Sequence, residues 1–236
     1  MPALRLDKII SGSGEYSRNE ADALIRAGRV SVGGVVLQSG AAKVDPAATV
    51  VLIDGKPYEY RRFRYVMLHK PLGYVSATQD RYEKTVMELM DEKYSKLGLF
   101  PAGRLDKDAS GLLLLTNDGE FAYRVTSPSS EIDKVYFVEF DGVLKSNDIK
   151  SFSSGLTLAD GTLCLPAVLE PVSGGAFVTL REGKYHQVKR MLAAIGVRVI
   201  SLARVSIGGL KLGEGLKPGE YLELSEGEAQ RVFEGR

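Results

Sequence analysis

Cysteine is almost absent from this chain: Cys164 stands alone among 236 residues. No intrachain disulfide can form, and zinc sites built on several cysteines are excluded. Histidine is nearly as scarce, and His69 and His186 by themselves do not make a metal site. No apolar run is long enough to span a bilayer, so no membrane segment is expected. The first residues, MPALRLDKII, carry charge where a signal peptide would be apolar. These scarcities point to a reducing cytoplasm. Excess charge is missing as well, the formal net being +1. Its distribution says more. Residues 1–64 hold ten Lys/Arg and seven Asp/Glu, a net of +3, and the remainder has a net of −2. That imbalance hints that the first part of the chain faces a polyanion.

What is present describes a soluble globular protein, with 44% hydrophobic and 26% charged residues. Its length fits one large domain, or a small domain plus a medium one. The chain divides near residue 60, giving domains over 1–60 and 61–236. LRLDKIISGSG begins as a short amphipathic helix with Leu6, Ile9 and Ile10 on one side. Ser17 and Glu20 have the spacing of a capping box, and a second helix follows through Ala21, Leu24 and Ile25 to a stop at Gly28. Val30 and Val32 run into a Gly33-Gly34 turn, and Val35 to Leu37 return, which reads as a hairpin. Arg18 and Arg26 lie about 80° apart on the second helix. They form one basic edge with Arg5, Lys8 and Arg29, or simply a solvated helix face. Residues 54–64, DGKPYEYRRFR, read as a basic linker.

The stretch GRLDKDASGLLLLTNDG, residues 103–119, is the most informative. Asp106 stands in a polar turn, and Leu112 to Leu115 follow as a buried strand. A carboxylate leading into a core strand is costly unless it stays at the strand's mouth with a job or a partner. Three readings are open from these residues: an ordinary turn, a calcium loop, or a catalytic acid. Asp106, Asp108, Ser110 and Gly111 imitate the start of an EF-hand. The twelfth position is Asn117, however, where a bidentate Glu is required, and the flanks read as strand and turn, not helices.

The rest of the second part alternates short strands with few helices. Strands are expected at YVMLHK, ending in a Lys-Pro turn, and over 135–140, 163–170, 176–180 and 197–205. Helices are expected over 85–90 and after Tyr185. The mixture predicts an α+β fold, with a small N-terminal domain followed by a larger one around a mixed, largely antiparallel sheet. In the strand at 134–140, Lys134, Tyr136 and Val138 share one face. In the later helix, Val188, Met191, Leu192 and Ile195 form an apolar stripe that ends at Gly196. Lys189 falls about 100° from Val188, at the border of that stripe, and Arg190 about 200° away, facing outward. Lys189 is therefore suited to meet a carboxylate and Arg190 a phosphate, or both simply belong to a solvated cationic face.

Two resemblances cover these segments. The order RLDK, SR, LI-AGRV and VGG over residues 3–50 resembles the S4-type RNA-binding domain, with Gly33 where that family often has Asn. LHKPLGYVSA, GRLDKDASGLLLLTNDG, KVY and EGKYHQVKRM occur in the order seen in pseudouridine synthases of the RsuA class, a match that spans nearly the whole chain. VTSP at 125–128, PAVLE at 166–170 and the form YHQVKRM look most like the branch acting on small-subunit ribosomal RNA, and the large-subunit branches stay open. The resemblance implies isomerisation of one uridine to pseudouridine, at position 516 of 16S rRNA. It implies Asp106 as the catalytic carboxylate, Tyr136 as the active-site tyrosine and Lys189 as its basic partner. Arg5, Lys8, Arg18, Arg26, Arg29, Arg104 and Arg190 are the implied RNA contacts. Nothing is oxidised and no group is donated in such a rearrangement, so no cofactor and no metal are expected. Whether Asp106 would attack the sugar, add to the base or remove a sugar proton stays open, as does free RNA against an assembling particle as the substrate. A non-catalytic RNA-binding assembly factor is the competing reading, and the intact Asp, Tyr and Lys positions stand against it. No interface signal stands out, so a monomer is expected.

The calcium reading is checked most cheaply: millimolar calcium is expected to leave the thermal melting midpoint where it is. A clear upward shift would revive the loop as a metal site.

Overall fold

The computed structural model describes residues 3–235. The chain packs into two units, Met1–Phe63 with Met90–Leu99, and Arg64–Leu89 with Phe100–Arg236. The division falls at residue 63 and not at 60, and residues 90–99 belong with the first unit.

The first unit contains β1 (Leu4–Arg5), α1 (Leu6–Ser11), α2 (Arg18–Arg26), β2 (Val30–Val32), β3 (Val35–Val36), β4 (Lys43–Val44), β5 (Val51–Ile53), β6 (Lys56–Tyr58) and α3 (Glu92–Lys96). Strands β3-β2-β5-β6 form one antiparallel sheet. Leu6, Ile9 and Ile10 share a core with Ala21, Leu24, Ile25, Val30, Val51 and Ile53. Helix α2 starts at a complete capping box: Ser17 Oγ accepts from Glu20 N–H, and Glu20 Oε2 accepts from Ser17 N–H. The expected linker is corrected here. Asp54-Gly55, with Asp54 at φ +51°, makes a tight turn that folds Lys56–Tyr58 back onto β5. Tyr58 then anchors α1 by donating its hydroxyl to the Ile9 carbonyl at 2.9 Å.

The second unit is built on one mixed sheet. Its strands are β7 (Tyr65–Lys70), β8 (Phe100–Pro101), β9 (Ser110–Thr116), β10 (Lys134–Asp141), β11 (Val168–Val172), β12 (Gly175–Leu180), β13 (Arg198–Ile207), β14 (Leu210–Lys211) and β15 (Tyr221–Leu224). The order along the sheet is β11-β12-β10-β13-β9-β7-β15, with β8 on β9 and β14 on β13. Among the described strands, β13 against β9 is the one parallel pairing. Its centre is apolar on both faces, as Leu112 to Leu115 and Val66 to Leu68 show. Around it lie α4 (Gly119–Thr126), α5 (Ser146–Ser154), α6 (Gln187–Ala194) and α7 (Glu226–Gln230). Asp118 caps α4 by accepting from the Glu120 and Phe121 amides, and its second oxygen accepts from the Tyr65 hydroxyl at 2.8 Å. Among the described residues no helix is long and apolar enough to cross a membrane.

Two expected elements differ. Residues 86–89 form a single 3-10 turn in place of the expected helix over 85–90, with the Glu88 carboxylate accepting from the Thr85 amide at its start. The expected strand at 163–170 begins only at Val168. Ahead of it, Cys164 N–H donates to Leu156 O and Ala167 N–H to Phe152 O, while Pro166 has no N–H to offer. The segment thus closes the end of α5 before it joins the sheet.

Gly111 marks the tightest point of the sheet. It pairs with Arg204 across the parallel contact at φ +107°, and a Cβ there would lie 2.2 Å from the Arg204 carbonyl oxygen. Gly111→Ala is therefore expected to lose about 3 kcal/mol or more of stability, measured by urea unfolding. A loss below about 1 kcal/mol would mean that β9 and β13 can part without consequence.

Candidate active site

Asp106 sits in the loop that joins β8 to β9. The loop is fixed from two sides by its backbone. Just before Asp106, the Ser76 hydroxyl accepts from the Leu105 amide at 3.0 Å and donates to the Leu105 carbonyl at 2.9 Å. Below it, Lys70 at the end of β7 is fully buried. Its ammonium donates to the carbonyls of Pro71, Asp106 and Ala109 at 3.1, 2.9 and 2.7 Å. Three donors meet three acceptors, so the cation is satisfied without a carboxylate. Burial depresses the Lys70 ammonium to about 8.

The Asp106 carboxylate points into a cavity of about 420 Å³, within the size range of small-ligand sites. Val75, Leu105, Tyr136, Leu180, Val188 and Leu202 supply its apolar wall. Tyr136 is nearly buried on β10, beside Val178 on β12 and Arg204 on β13. Lys134 and Val138 are buried on the same side of the strand. The Arg204 guanidinium lies 6.0 Å from the Tyr136 ring centroid and donates from Nε to Leu112 O at 2.8 Å. Its buried Nη2 has no hydrogen-bond partner. Burial also holds the Lys134 ammonium down to about 8. Around the site the unit thus keeps Lys70, Lys134 and Arg204 as buried cations.

The opposite side of the cavity comes from the turn before α6. Glu182 is buried and organises it, accepting from Leu165 N–H at 2.8 Å, from Gln187 Nε2 at 2.6 Å and from the Lys184 ammonium. His186 takes a left-handed conformation, φ +48° and ψ +36°, at the start of the helix. That turn brings His186 Nε2 to 3.5 Å from Asp106 Oδ1. One turn into α6, Lys189 Nζ lies 3.7 Å from Asp106 Oδ2.

The structure brings Asp106, Tyr136 and Lys189 to one cavity region, with a correction to the pairing. The shorter contact of Lys189 is to Asp108, not Asp106. Asp108 reaches across from the exposed side of the turn, and its carboxyl is held below the usual range chiefly by the hydrogen bond from Lys189. Lys189 therefore bridges the two acids, and Asp108 is more than a turn former. A calcium loop would need these carboxylates free, whereas here they face a lysine and a histidine.

The expected RNA contacts divide. Arg104 is exposed and lines the cavity. Lys8 is exposed. Arg190 does not stand free: it meets Asp160 at 2.5 Å and donates to the Tyr185 carbonyl at 3.3 Å. In the first unit, Arg5 and Arg18 both meet the buried Asp7, Arg26 meets Asp22 and Arg29 meets Asp54. The basic edge is a row of ion pairs. Sequence reasoning missed Lys70, Ser76, Glu182, His186 and Arg204. A lysine closing an apolar strand was a signal for the first. The others depend on contacts from distant segments.

Comparison with known proteins bears on the family and the fold. Residues 64–194 match the model of the RNA pseudouridylate synthase family, and residues 4–50 match the S4 domain. The ribosomal small subunit pseudouridine synthase A of Vibrio cholerae is 40% identical over 98% of this chain and 100% of its own length. An uncharacterized RNA pseudouridine synthase of Bacillus subtilis is 40% identical over 98% of this chain and 99% of its own. A crystal structure of a pseudouridylate synthase, 34% identical, superposes with a TM-score of 0.68 over 97% of this chain and 99% of that one.

The buried lysine predicts a pH dependence of stability. An unfolded lysine keeps its proton to about 10.5, whereas folded Lys70 releases it near 8. Between those values the unfolded state binds more protons, so stability rises with pH. Lys134 contributes in the same direction. From pH 8 to 10 the wild-type protein is expected to gain roughly 1 kcal/mol per pH unit more than Lys70→Met, measured by urea unfolding. Parallel pH profiles for the two proteins would show that Lys70 titrates normally.

Proposed function

The chain belongs to the RNA pseudouridylate synthase family, and from that premise we propose that it converts one uridine of small-subunit ribosomal RNA, position 516 of 16S rRNA, to pseudouridine at Asp106. It is a pseudouridine synthase acting on RNA with an S4 domain at its N-terminus. The observation that carries the site is the Asp106 carboxylate, held on a hydrogen-bonded backbone and facing a cavity with an apolar wall, with His186 and Lys189 beside it.

The reaction breaks the N1–C1′ bond, turns the detached uracil and joins C5 to C1′. The base ends with a proton gained at N1 and one lost from C5, so the isomerisation balances without a redox partner. A uridine stacked in RNA cannot be reached, so it is flipped into the pocket. Attack at C1′, addition to the base and removal of a sugar proton all use one carboxylate acting as a base or nucleophile. In the reading proposed here that carboxylate is Asp106, which matches an oxocarbenium-like sugar in charge. Tyr136 contacts the uracil and takes part in moving the C5 proton. The apolar wall retains the detached base and excludes water, which would otherwise hydrolyse the sugar. Arg104, Arg190, Lys8 and the arginines of the first unit hold phosphate and sugar, contacts that position the RNA without reading its sequence. The Arg26–Asp22 and Arg29–Asp54 pairs lie at the surface, where ion pairs are weak and exchangeable. The small-subunit target rests on the Vibrio and Escherichia coli relatives named for that subunit. We place the enzyme in the cytoplasm as a monomer, acting on free RNA or on an assembling particle.

Asp106→Asn is expected to lower pseudouridine formation at least roughly 10³-fold while RNA affinity changes little. Turnover is read by base-resolved mapping of ribosomal RNA and affinity by filter binding. Near-full activity in that variant would remove Asp106 from the chemistry. In cells lacking the gene, a lost modification in large-subunit RNA instead of small-subunit RNA would reassign the substrate.

A further inference from the structure

We propose that Tyr185 is a stacking platform for the nucleobase that flanks the target uridine in the RNA. Tyr185 is 75% exposed at the mouth of the cavity. A single exposed aromatic would mean little by itself, but this ring is held in place. It stacks on His186 with centroids 3.8 Å apart and planes at 19°. His186 is in turn fixed by its left-handed backbone and by its contact with Asp106 at 3.5 Å. The Tyr185 carbonyl accepts from Arg190, which is itself tied to Asp160. One face of the ring is therefore covered by imidazole, and the exposed face looks outward, one imidazole away from the reacting carboxylate.

A non-glycine residue in this conformation is strained, and strain of that kind is retained where the surroundings impose it. Here it sets a π-surface beside a pocket for a flipped nucleotide. Flipping leaves the neighbouring base without its stacking partner. An aromatic face at the pocket mouth replaces that partner, and any base can use it because every base has a π-face. Arg104, exposed at the same cavity, and Arg190, which donates to the Tyr185 carbonyl, add cations that fit a polyanionic strand and not an apolar peptide. The platform supplies affinity and registration, and leaves the choice of sequence to other contacts.

The proposal rests on the reading of Asp106 as the reacting site, and its test separates the two. The full-length enzyme is assayed on a small-subunit ribosomal RNA transcript, with the converted uridine mapped first. Tyr185→Ala is expected to raise KM roughly tenfold with kcat within about twofold, and Tyr185→Phe, which keeps the ring, restores the wild-type KM. A transcript with an abasic nucleotide on the side of the uridine that meets Tyr185 is expected to lose a similar factor. Adding Tyr185→Ala to that transcript then costs nothing further, because the two changes remove one contact. Both flanks are tested singly, and coupling at one of them is the expected result. Wild-type KM in Tyr185→Ala, or losses that multiply at both flanks, overturns the platform while the enzyme reading stands. A wild-type enzyme that converts no uridine, or an active Asp106→Asn variant, overturns the underlying reading and the platform with it.

Discussion

The buried ammonium of Lys70 is the contact on which the site depends. A lysine with no exposed surface is unfavourable unless each of its donors is used. Here the three carbonyls it satisfies belong to Pro71, Asp106 and Ala109, two of them in the loop that carries the proposed catalytic carboxylate. The same bonds that make the burial tolerable close the loop over β7. Loop placement and charge burial are one event, so the Asp106 backbone cannot drift without leaving a cation unpaired.

The remaining parts converge on this fixed point. Ser76 clamps the residue before Asp106, β10 brings Tyr136, and the Glu182-centred turn swings His186 and Lys189 across the cavity. The parallel contact between β13 and β9 sets Arg204 beside Gly111, and the register of β13 with β10 sets it beside Tyr136. The buried cations Lys134 and Arg204 lie on the Tyr136 side of the sheet, next to the apolar part of the cavity wall. A site arranged in this way presents a positive interior to an anionic ligand and still keeps water from the reacting atoms.

The two acids of the loop divide the cations between them. Asp108, mostly exposed, takes the closer contact with Lys189. Asp106, deeper and facing the cavity, is left with longer contacts to Lys189 and His186. A carboxylate locked in a short ion pair would have to break it before meeting a substrate. A carboxylate flanked at 3.5 to 3.7 Å keeps nearby positive charge and free lone pairs. In the first unit the logic is reversed, since exposed arginines are parked on carboxylates they can leave for phosphate.

What the chain determined by itself was whatever local spacing controls. The capping box at Ser17 and Glu20, the stripe of Val188, Met191 and Leu192, the buried run Leu112 to Leu115 and the shared face of Lys134, Tyr136 and Val138 each depend on neighbours a few residues away. They could be read from sequence, and motif resemblance added Asp106, Tyr136 and Lys189. The basic residues of 54–64 made the whole segment read as a linker and masked both the Asp54-Gly55 turn and the strand Lys56–Tyr58. Tertiary structure alone decided the pairings between distant segments. It chose Asp108 over Asp106 as the closest partner of Lys189, brought His186 to Asp106 through one left-handed residue, and set Lys70 beneath the loop. It also turned residues 163–167 toward the end of α5 instead of into the sheet. These outcomes follow from where long side chains and unpaired backbone groups find partners at low cost. No periodicity encodes that choice, because it is made only when the sheet has assembled.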